Sequence, residues 1–272
     1  MTRVAWLTDI HLNFLDAARR NGFYQSLRRR ECDALLVTGD IAESNTLSPL
    51  LEEMAAALDR PIYFVLGNHD FYRGSIPQVR ARAAGLADLS EHLIYLTDAG
   101  VVPLAGQTAL VGHDGWADAR LGDFNHSDVV LNDYVLIDEL RQWRDPFALD
   151  RPALRRALER LSDEAADHLA EVLPQALARY RRVVVATHVP PFAACCRHGE
   201  QFVDDQWLPH FCSQAVGQVL QTTAAAHADR EILVLCGHTH ARAEFQAQEN
   251  LLVLTGGAQY SNPAVERVFE WE

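Results

Sequence analysis

The chain has 272 residues, 49% of them hydrophobic and 22% charged, a balance that is ordinary for a globular protein and excludes general disorder. Acidic residues outnumber basic ones by 37 to 24, and the formal net charge of −13 would repel a long polyanion over most of the surface. The five cysteines form an odd set without CxxC spacing, which disfavours a disulfide framework or a cysteine zinc site and predicts reduced thiols.

Short apolar runs rich in β-branched residues predict strands that are covered on both faces. In chain order they occupy residues 4–8, 34–39, 62–67, 93–97, 108–113, 183–188, 232–237 and 251–256. Apolar residues that recur every three or four positions predict helices between them, at 16–31, 48–59, 75–86 and 151–181. Strands that alternate with helices indicate a layered α/β fold.

Two segments depart from this alternation. Residues 264–272 alternate apolar and polar side chains and predict a half-exposed antiparallel strand, so the sheets should be mixed. Residues 114–150 are rich in aromatic and acidic side chains and predict an insertion over one end of the sheet. No linker-like segment divides the chain, so we expect one domain over residues 1–272. Without a secretory signal pattern or a long apolar run, we expect a cytoplasmic protein with no membrane span.

Side chains that can bind metal follow or end five of the predicted strands. They are Asp9, His11, Asp40, Asn68, His69, Asp70, His188, His238 and His240. Because the carboxyl ends of strands converge on one edge of an α/β sheet, we expect these side chains to share a cavity. Buried carboxylates raise each other's pKa, and divalent cations remove that cost. The donors suit Mn, Fe, Zn, Co or Ni better than Ca, and their number indicates two ions.

Each of these signals is weak when it stands alone. A Gly-Asp pair such as Gly39-Asp40 is usually a turn, and a pair of histidines such as His238 and His240 often ends an exposed strand. Their occurrence together, each directly after a buried strand, is what favours a metal site over a set of ordinary turns.

The order of the motifs resembles a known family. DIH (9–11), GD (39–40), GNHD (67–70), TH (187–188) and GHTH (237–240) match the five signature blocks of the calcineurin-like metallophosphoesterases. The resemblance implies a four-layer α/β/β/α sandwich with two mixed β-sheets and a two-metal site at one edge. It also implies hydrolysis of a phosphate ester by in-line attack of a metal-bridging hydroxide, with both ions neutralising the phosphoryl oxygens.

The resemblance implies a role for each residue of these motifs. One ion would be held by Asp9, His11, Asp40 and His240, and the other by Asp40, Asn68, His188 and His238. His69 is expected beside the scissile phosphate, where a cationic imidazole would stabilise developing charge and protonate the leaving group. Asp70 is expected to bond the other nitrogen of His69 and fix its orientation, and the alternative is a plain loop carboxylate.

The resemblance leaves the substrate open. The chain continues as GDIAES (39–44) and lacks the Asp-Arg-Gly signature of the protein Ser/Thr phosphatases, whereas GNHDFY (67–72) is similar to the class III cyclic nucleotide phosphodiesterases. We expect a small phosphodiester or phosphomonoester as substrate, with no nucleic acid or membrane partner. The alternatives are a nuclease and a non-catalytic scaffold. No compact basic cluster supports the first, and the intact motifs disfavour the second.

Two segments are further candidates for substrate contact. His113, Asp114 and Trp116 end a predicted strand at the same edge, although a strand-end turn with a core tryptophan explains them equally well. Residues 189–207 contain too few apolar positions for a regular element and predict a loop that walls the cleft. The side chains of this loop that could touch substrate are Phe192, Arg197 and His198.

Overall fold

The computed structural model describes residues 1–145 and 148–272. The strands are β1 (Thr2–Leu7), β2 (Ala34–Thr38), β3 (Ile62–Val65), β4 (Leu93–Tyr95), β5 (Val102–Ala105), β6 (Thr108–Gly112), β7 (Trp143–Asp145), β8 (Ala148–Leu149), β9 (Arg182–Ala186), β10 (Arg197–His198), β11 (Gln201–Phe202), β12 (Glu231–Cys236), β13 (Ala243–Gln248), β14 (Leu251–Thr255) and β15 (Arg267–Trp271). The α-helices are α1 (Ala17–Arg28), α2 (Leu47–Leu58), α3 (Ile76–Leu89), α4 (Leu96–Ala99), α5 (Asp133–Leu136), α6 (Arg151–Leu177) and α7 (Gln214–Ala226). Short 3-10 turns span Leu12–Phe14, Asn68–Phe71, Asp138–Leu140, Ala193–Cys195 and Leu208–His210.

The strands form two large mixed sheets. The first has the order β15-β1-β2-β3-β4, with β1 to β4 parallel and β15 antiparallel to β1. The second has the order β13-β14-β12-β9-β6-β5, with the four central strands parallel and both edge strands antiparallel. The predicted mixed sheets and antiparallel last strand are therefore confirmed.

The sheets pack face to face between two layers of helices. Alternate side chains of both sheets meet in one buried cluster, which contains Val4, Trp6, Leu36, Val184, Leu235 and Leu254. The opposite face of the first sheet shares a cluster with α1, α2 and α3, and that of the second sheet with α6 and α7. Because a strand points successive side chains to opposite faces, continuous apolar runs are what this burial on both faces requires. The four-layer α/β/β/α prediction is confirmed.

The predicted elements differ from the structure mainly at edges and ends. The run at 93–97 stops as a strand at Tyr95, because Leu96–Ala99 turns into a helix. The edge strands β5 and β13 were not among the predicted strands. Pro103 disfavours a strand assignment at β5, and alternating polar residues interrupt the apolar run at β13. Helix α7 was missed as well, and its start is marked by Ser213, whose side chain accepts a hydrogen bond from Val216 N.

The predicted insertion contains α5, a 3-10 turn and the short pair β7–β8, while residues 146 and 147 lie outside the described part of the chain. All five cysteines are free and buried, in agreement with the prediction that they form no disulfide framework. Within the described residues, every helix is too short or too polar to cross a lipid bilayer.

Candidate metal centre

The carboxyl ends of the parallel strands bring the predicted ligands to one edge of both sheets. Asp9 and His11 follow β1, Asp40 follows β2 and Asn68 follows β3 in the first sheet. His188 follows β9, and His238 and His240 follow β12 in the second sheet. The face-to-face packing of the sheets therefore places all seven side chains around one centre, although their role as metal ligands stays a prediction.

The backbone at this edge is unusual. Five of the seven residues have a left-handed conformation, with φ of 49° at Asp9, 40° at His11, 53° at Asp40, 71° at His238 and 56° at His240. This conformation costs a non-glycine residue about 1–2 kcal/mol, so it persists only where the surroundings impose it. Here hydrogen bonds between loops do so: Asp9 N donates to the carbonyl of Gly39, and His11 N donates to that of Asp40. Backbone strain of this kind concentrates at functional sites.

Two glycines of the motifs, Gly67 and Gly237, are required because neighbouring carboxylates approach their backbone closely. A Cβ atom on Gly67 would lie 2.2 Å from Asp40 Oδ1, and one on Gly237 would lie 2.2 Å from Asp9 Oδ2. Both distances are shorter than any tolerable contact. The glycines that precede Asn68 and His238 therefore let neighbouring strand ends approach closely enough for their carboxylates to join the centre.

The first predicted ligand set is compact. Asp9, His11, Asp40 and His240 each offer one donor atom, and these atoms lie within 4.8 Å of one another. His240 Nε2 is 3.3 Å from His11 Nε2 and 3.3 Å from Asp9 Oδ1, while His11 Nε2 is 3.8 Å from Asp40 Oδ2. Four donors at this spacing fit one divalent ion.

The second predicted ligand set lies beside Oδ1, the other carboxylate oxygen of Asp40. His188 Nε2 lies 3.4 Å from Asp40 Oδ1, and Asn68 Oδ1 lies 3.1 Å from His188 Nε2 and 3.0 Å from His238 Nδ1. The two carboxylate oxygens of Asp40 thus face different groups of donors. A carboxylate in this position suits the bridge between two ions.

Hydrogen bonds fix the orientation of the donors. His188 Nδ1 lies 2.9 Å from the carbonyl of Thr38, and His238 Nε2 lies 3.2 Å from that of His210. Since a carbonyl accepts an N–H, each ring directs its opposite nitrogen, with its lone pair, toward the centre. Asn68 Nδ2 donates to Asp133 Oδ1 at 2.9 Å, which leaves the amide oxygen of Asn68 facing the two histidines.

Burial leaves two of the histidines in the neutral form that a metal requires, and it makes the charge of Asp40 costly. It lowers the pKa of His11 and of His238 to about 3, so both rings are neutral at physiological pH. Burial, and secondarily the charge of Asp9, raise the pKa of Asp40 well above its ordinary value. A divalent cation would offset this cost of two neighbouring buried carboxylates, and the donor set of imidazole, carboxylate and amide oxygen fits one.

The prediction that Asp70 orients His69 is wrong. The carboxylate of Asp70 accepts hydrogen bonds from the backbone N–H groups of Ile41, Ala42 and Gly67 at 2.7–2.9 Å, and His69 Nδ1 has no partner among the described residues. Asp70 lies in the 3-10 turn that starts after Gly67, so its side chain folds back onto the start of that turn. It positions the loops of Asp40 and Asn68 relative to each other.

The ring of Tyr72 orients His69 in place of Asp70. The two rings stack with centroids 4.3 Å apart and an interplanar angle of 30°, and the Tyr72 hydroxyl donates to Asp133 Oδ1 at 2.8 Å. Burial first, and the neighbouring His188 second, lower the pKa of His69 to about 4. A neutral imidazole offers one N–H as a donor, and the role of His69 beside a bound phosphate stays a prediction.

Two aspartates that support the centre were not assigned this role from sequence. Asp133 from the insertion accepts hydrogen bonds from both Asn68 and Tyr72, but nothing in its sequence neighbourhood signals that contact. Asp114 accepts from Leu66 N at 2.8 Å and from Arg80 Nε at 2.9 Å, and its own carbonyl accepts from His188 N. Its position at a strand end was the available signal.

His113 and Trp116, which the sequence left open as substrate contacts, are core residues. His113 Nδ1 accepts from the N–H of Gly115 at 3.1 Å, and Trp116 packs against Phe71 with ring centroids 5.6 Å apart. Both side chains are buried, and neither lines the cavity at the metal centre.

The cavity above the centre has a volume of about 500 Å³. Asp40, Asn68, His69, His238 and His240 form part of its lining. The segment 189–207 contributes Arg197, His198, Phe202, Val203, Asp204 and Trp207, so it does wall the cleft. It carries the short hairpin β10–β11 where a loop was predicted. Phe192 packs against Phe245 instead and does not line the cavity.

Comparisons with known proteins agree with this architecture. Phosphopantetheinyl hydrolase from Mycobacterium tuberculosis aligns with a TM-score of 0.63 and 13% identity over 94% of this chain and 89% of its own. A dimetal phosphatase from Danio rerio aligns with a TM-score of 0.59 and 15% identity over 94% of this chain and 87% of its own. At such identities the likeness shows the fold, and no curated protein matches the sequence. The sequence model of the calcineurin-like phosphoesterases matches residues 2–242, and the chain belongs to that family.

Proposed function

We propose that this protein hydrolyses a small phosphodiester or phosphomonoester with two divalent ions, which Mn, Fe, Zn or Ni could supply. One observation carries the proposal: the two oxygens of Asp40 face separate groups of donors, and Asp40 lines a cavity of about 500 Å³. When bound, a pair of ions at such a bridge neutralises phosphoryl oxygens and acidifies a water molecule.

The residues of the chain supply orientation and a hydrogen-bond donor. His69 lines the cavity, and its neutral imidazole can donate an N–H to a phosphoryl oxygen or to the leaving-group oxygen. The negative charge of a bound phosphate ester favours the protonated ring, which can then release its proton to the departing alkoxide. Tyr72 holds the ring in place by stacking, and Asp133 fixes the Tyr72 hydroxyl.

The walls of the cavity favour a small substrate. The insertion contributes Leu131, Asn132 and Asp133, and the segment around the β10–β11 hairpin covers the cavity from another side. Asp133 and Asp204 in the lining, with the net charge of −13, oppose a long polyanion. We therefore expect neither a nucleic acid nor a membrane as partner. The free cysteines are consistent with a reducing compartment such as the cytoplasm.

The test is a substrate screen with protein that has been depleted of metal and reconstituted with each candidate ion. We expect hydrolysis of bis(p-nitrophenyl) phosphate or a similar small diester, and weak cleavage of labelled duplex DNA at physiological salt. The Asp40→Ala variant, purified and assayed alongside, controls for contaminating phosphatases. Efficient, salt-sensitive DNA cleavage with inert small diesters would favour a nuclease, and no turnover with any ion would favour a non-catalytic scaffold.

A further inference from the structure

The cavity contains an arginine that the reaction at the metal centre does not use. Among the described residues that line the cavity, Arg197 is the only arginine or lysine. The acidic side chains Asp133 and Asp204 line the same cavity. An anionic group of a substrate that extends beyond the metal centre would therefore find one favourable position, at this guanidinium.

The guanidinium of Arg197 is held in place without a carboxylate. It lies over the ring of Phe202, 4.4 Å from the centroid, and the two residues are directly paired across the β10–β11 hairpin. Nη1 donates to the carbonyl of Glu200 at 3.1 Å. No carboxylate of the described residues forms an ion pair with it, whereas Arg80 pairs with two carboxylates and Arg242 with one.

The stacked guanidinium keeps its charge available for a ligand. The formal net charge of the protein is −13, yet no described carboxylate forms an ion pair with Arg197, so an anionic ligand would not have to displace one. Phe202 is 60% exposed and contributes little to the core, so the pair gives the hairpin little packing. An arginine stacked on an aromatic ring is preorganised, and its remaining N–H groups can bind a planar or tetrahedral anion.

We propose that Arg197 is a specificity residue that binds a second anionic group of the substrate, apart from the phosphate at the metal centre. The substrate class is then a phosphate ester or phosphoanhydride whose remaining part carries a further phosphate or carboxylate. This inference rests on the proposed function, because it assigns a role to another residue that lines the same cavity.

The experiment measures binding by titration calorimetry to metal-reconstituted protein and does not depend on turnover. The probes are alkylphosphonates of increasing chain length, each compared with an ω-carboxy and an ω-phosphono derivative of the same length. We expect the wild type to bind one charged derivative at least about tenfold more tightly than the neutral alkylphosphonate. Comparison of the carboxylate and phosphonate series shows which anion the site prefers.

Three variants locate the effect. Arg197→Gln should abolish the preference and leave the affinity for the neutral alkylphosphonate unchanged, and Arg197→Lys should keep part of the preference. The control is Arg179→Gln, since Arg179 is also stacked on an aromatic ring, 5.6 Å over Tyr180, but is exposed where Arg197 is half-buried and does not line the cavity. It should behave as the wild type does.

Two results would overturn the inference. One is a wild type without any preference for the charged probes at every length, and the other is an undiminished preference in Arg197→Gln. Failure of the proposed function is distinguishable, because a protein that binds the probes with the expected preference but hydrolyses no ester retains the anion site and lacks the activity.

Discussion

Replacement of Asp114 by alanine tests whether a buried ion pair positions the metal centre. The Asp114 side chain is buried and accepts hydrogen bonds from Leu66 N, Arg80 Nε, Tyr95 Oη and Thr97 Oγ1, at 2.7–2.9 Å. The Leu66 bond fixes the start of the loop that carries Asn68. The variant removes the acceptor of all four donors and leaves the Arg80 guanidinium with only a partly exposed Glu164.

The magnitude follows from the loss of one partner of a buried pair, which costs about 3–5 kcal/mol. For a domain of this size each kcal/mol lowers the midpoint of thermal unfolding by about 2–4 °C, so we expect a decrease of about 6–20 °C. Asp114→Asn can keep an acceptor oxygen for Leu66 N and should lose less than the alanine variant. Its amide nitrogen cannot accept from Arg80 Nε or Tyr95 Oη, so those two hydrogen bonds and the charge opposite Arg80 are lost.

The functional consequence concerns one ion more than the other. A displaced Leu66 loop moves Asn68, and the Asp114 turn also contacts His188 through the backbone. We therefore expect Asp114→Ala to weaken the ion of the Asn68 and His188 set and to keep the other, so that metal content at limiting supply falls from about two ions per chain toward one. Elemental analysis after dialysis against buffered metal measures this, and thermal unfolding of the metal-free protein measures stability.

Asp118→Asn is the matched control, since Asp118 is equally buried but accepts from Ala215 N and Arg120, away from the ligand loops. It should lower the unfolding temperature and leave the ion stoichiometry unchanged. A nearly wild-type unfolding temperature for Asp114→Ala, or both ions held with wild-type affinity, would refute the reasoning.

Three other predictions test the centre itself. The purified protein should contain or take up close to two divalent transition ions per chain, and Asp40→Ala should lose metal because both sets share that carboxylate; only trace metal without uptake on reconstitution would contradict the two-metal centre. His69→Ala should retain both ions by elemental analysis yet lose turnover by at least about 10²-fold on a substrate with a poor leaving group, and full activity would remove its assigned role. Asp133→Ala should free the amide of Asn68 to rotate and so weaken binding of the ion that Asn68 helps to hold, which would raise the metal concentration needed for half-maximal activity. Asp204→Ala, which removes an acidic side chain from the same cavity, is the control and should leave that concentration unchanged.

Sequence alone predicted the layers of the fold, which the structure confirms, and the residues that gather at the candidate metal centre, whose role as ligands stays a prediction. Continuous apolar runs such as 34–39 and 183–188 report burial on both faces, which is a local property of the strand. Asp9, Asp40 and His188 could be assigned to one edge because the carboxyl ends of parallel strands meet there in any fold of this class. Edge strands such as β13 escaped prediction because exposure breaks their apolar runs.

Only the tertiary structure decided what each supporting side chain contacts. Asp70 was expected to bond its neighbour His69, but it binds the N–H groups of Ile41 and Ala42, about 30 residues away along the chain. Every residue other than proline offers an equivalent backbone N–H, so sequence cannot identify which of them a buried carboxylate will meet. The same holds for Asp133, whose contact with Asn68 spans 65 positions and depends on how the insertion folds back over the sheet edge. The packing of distant loops determines such partners, and the local sequence pattern does not predict that packing.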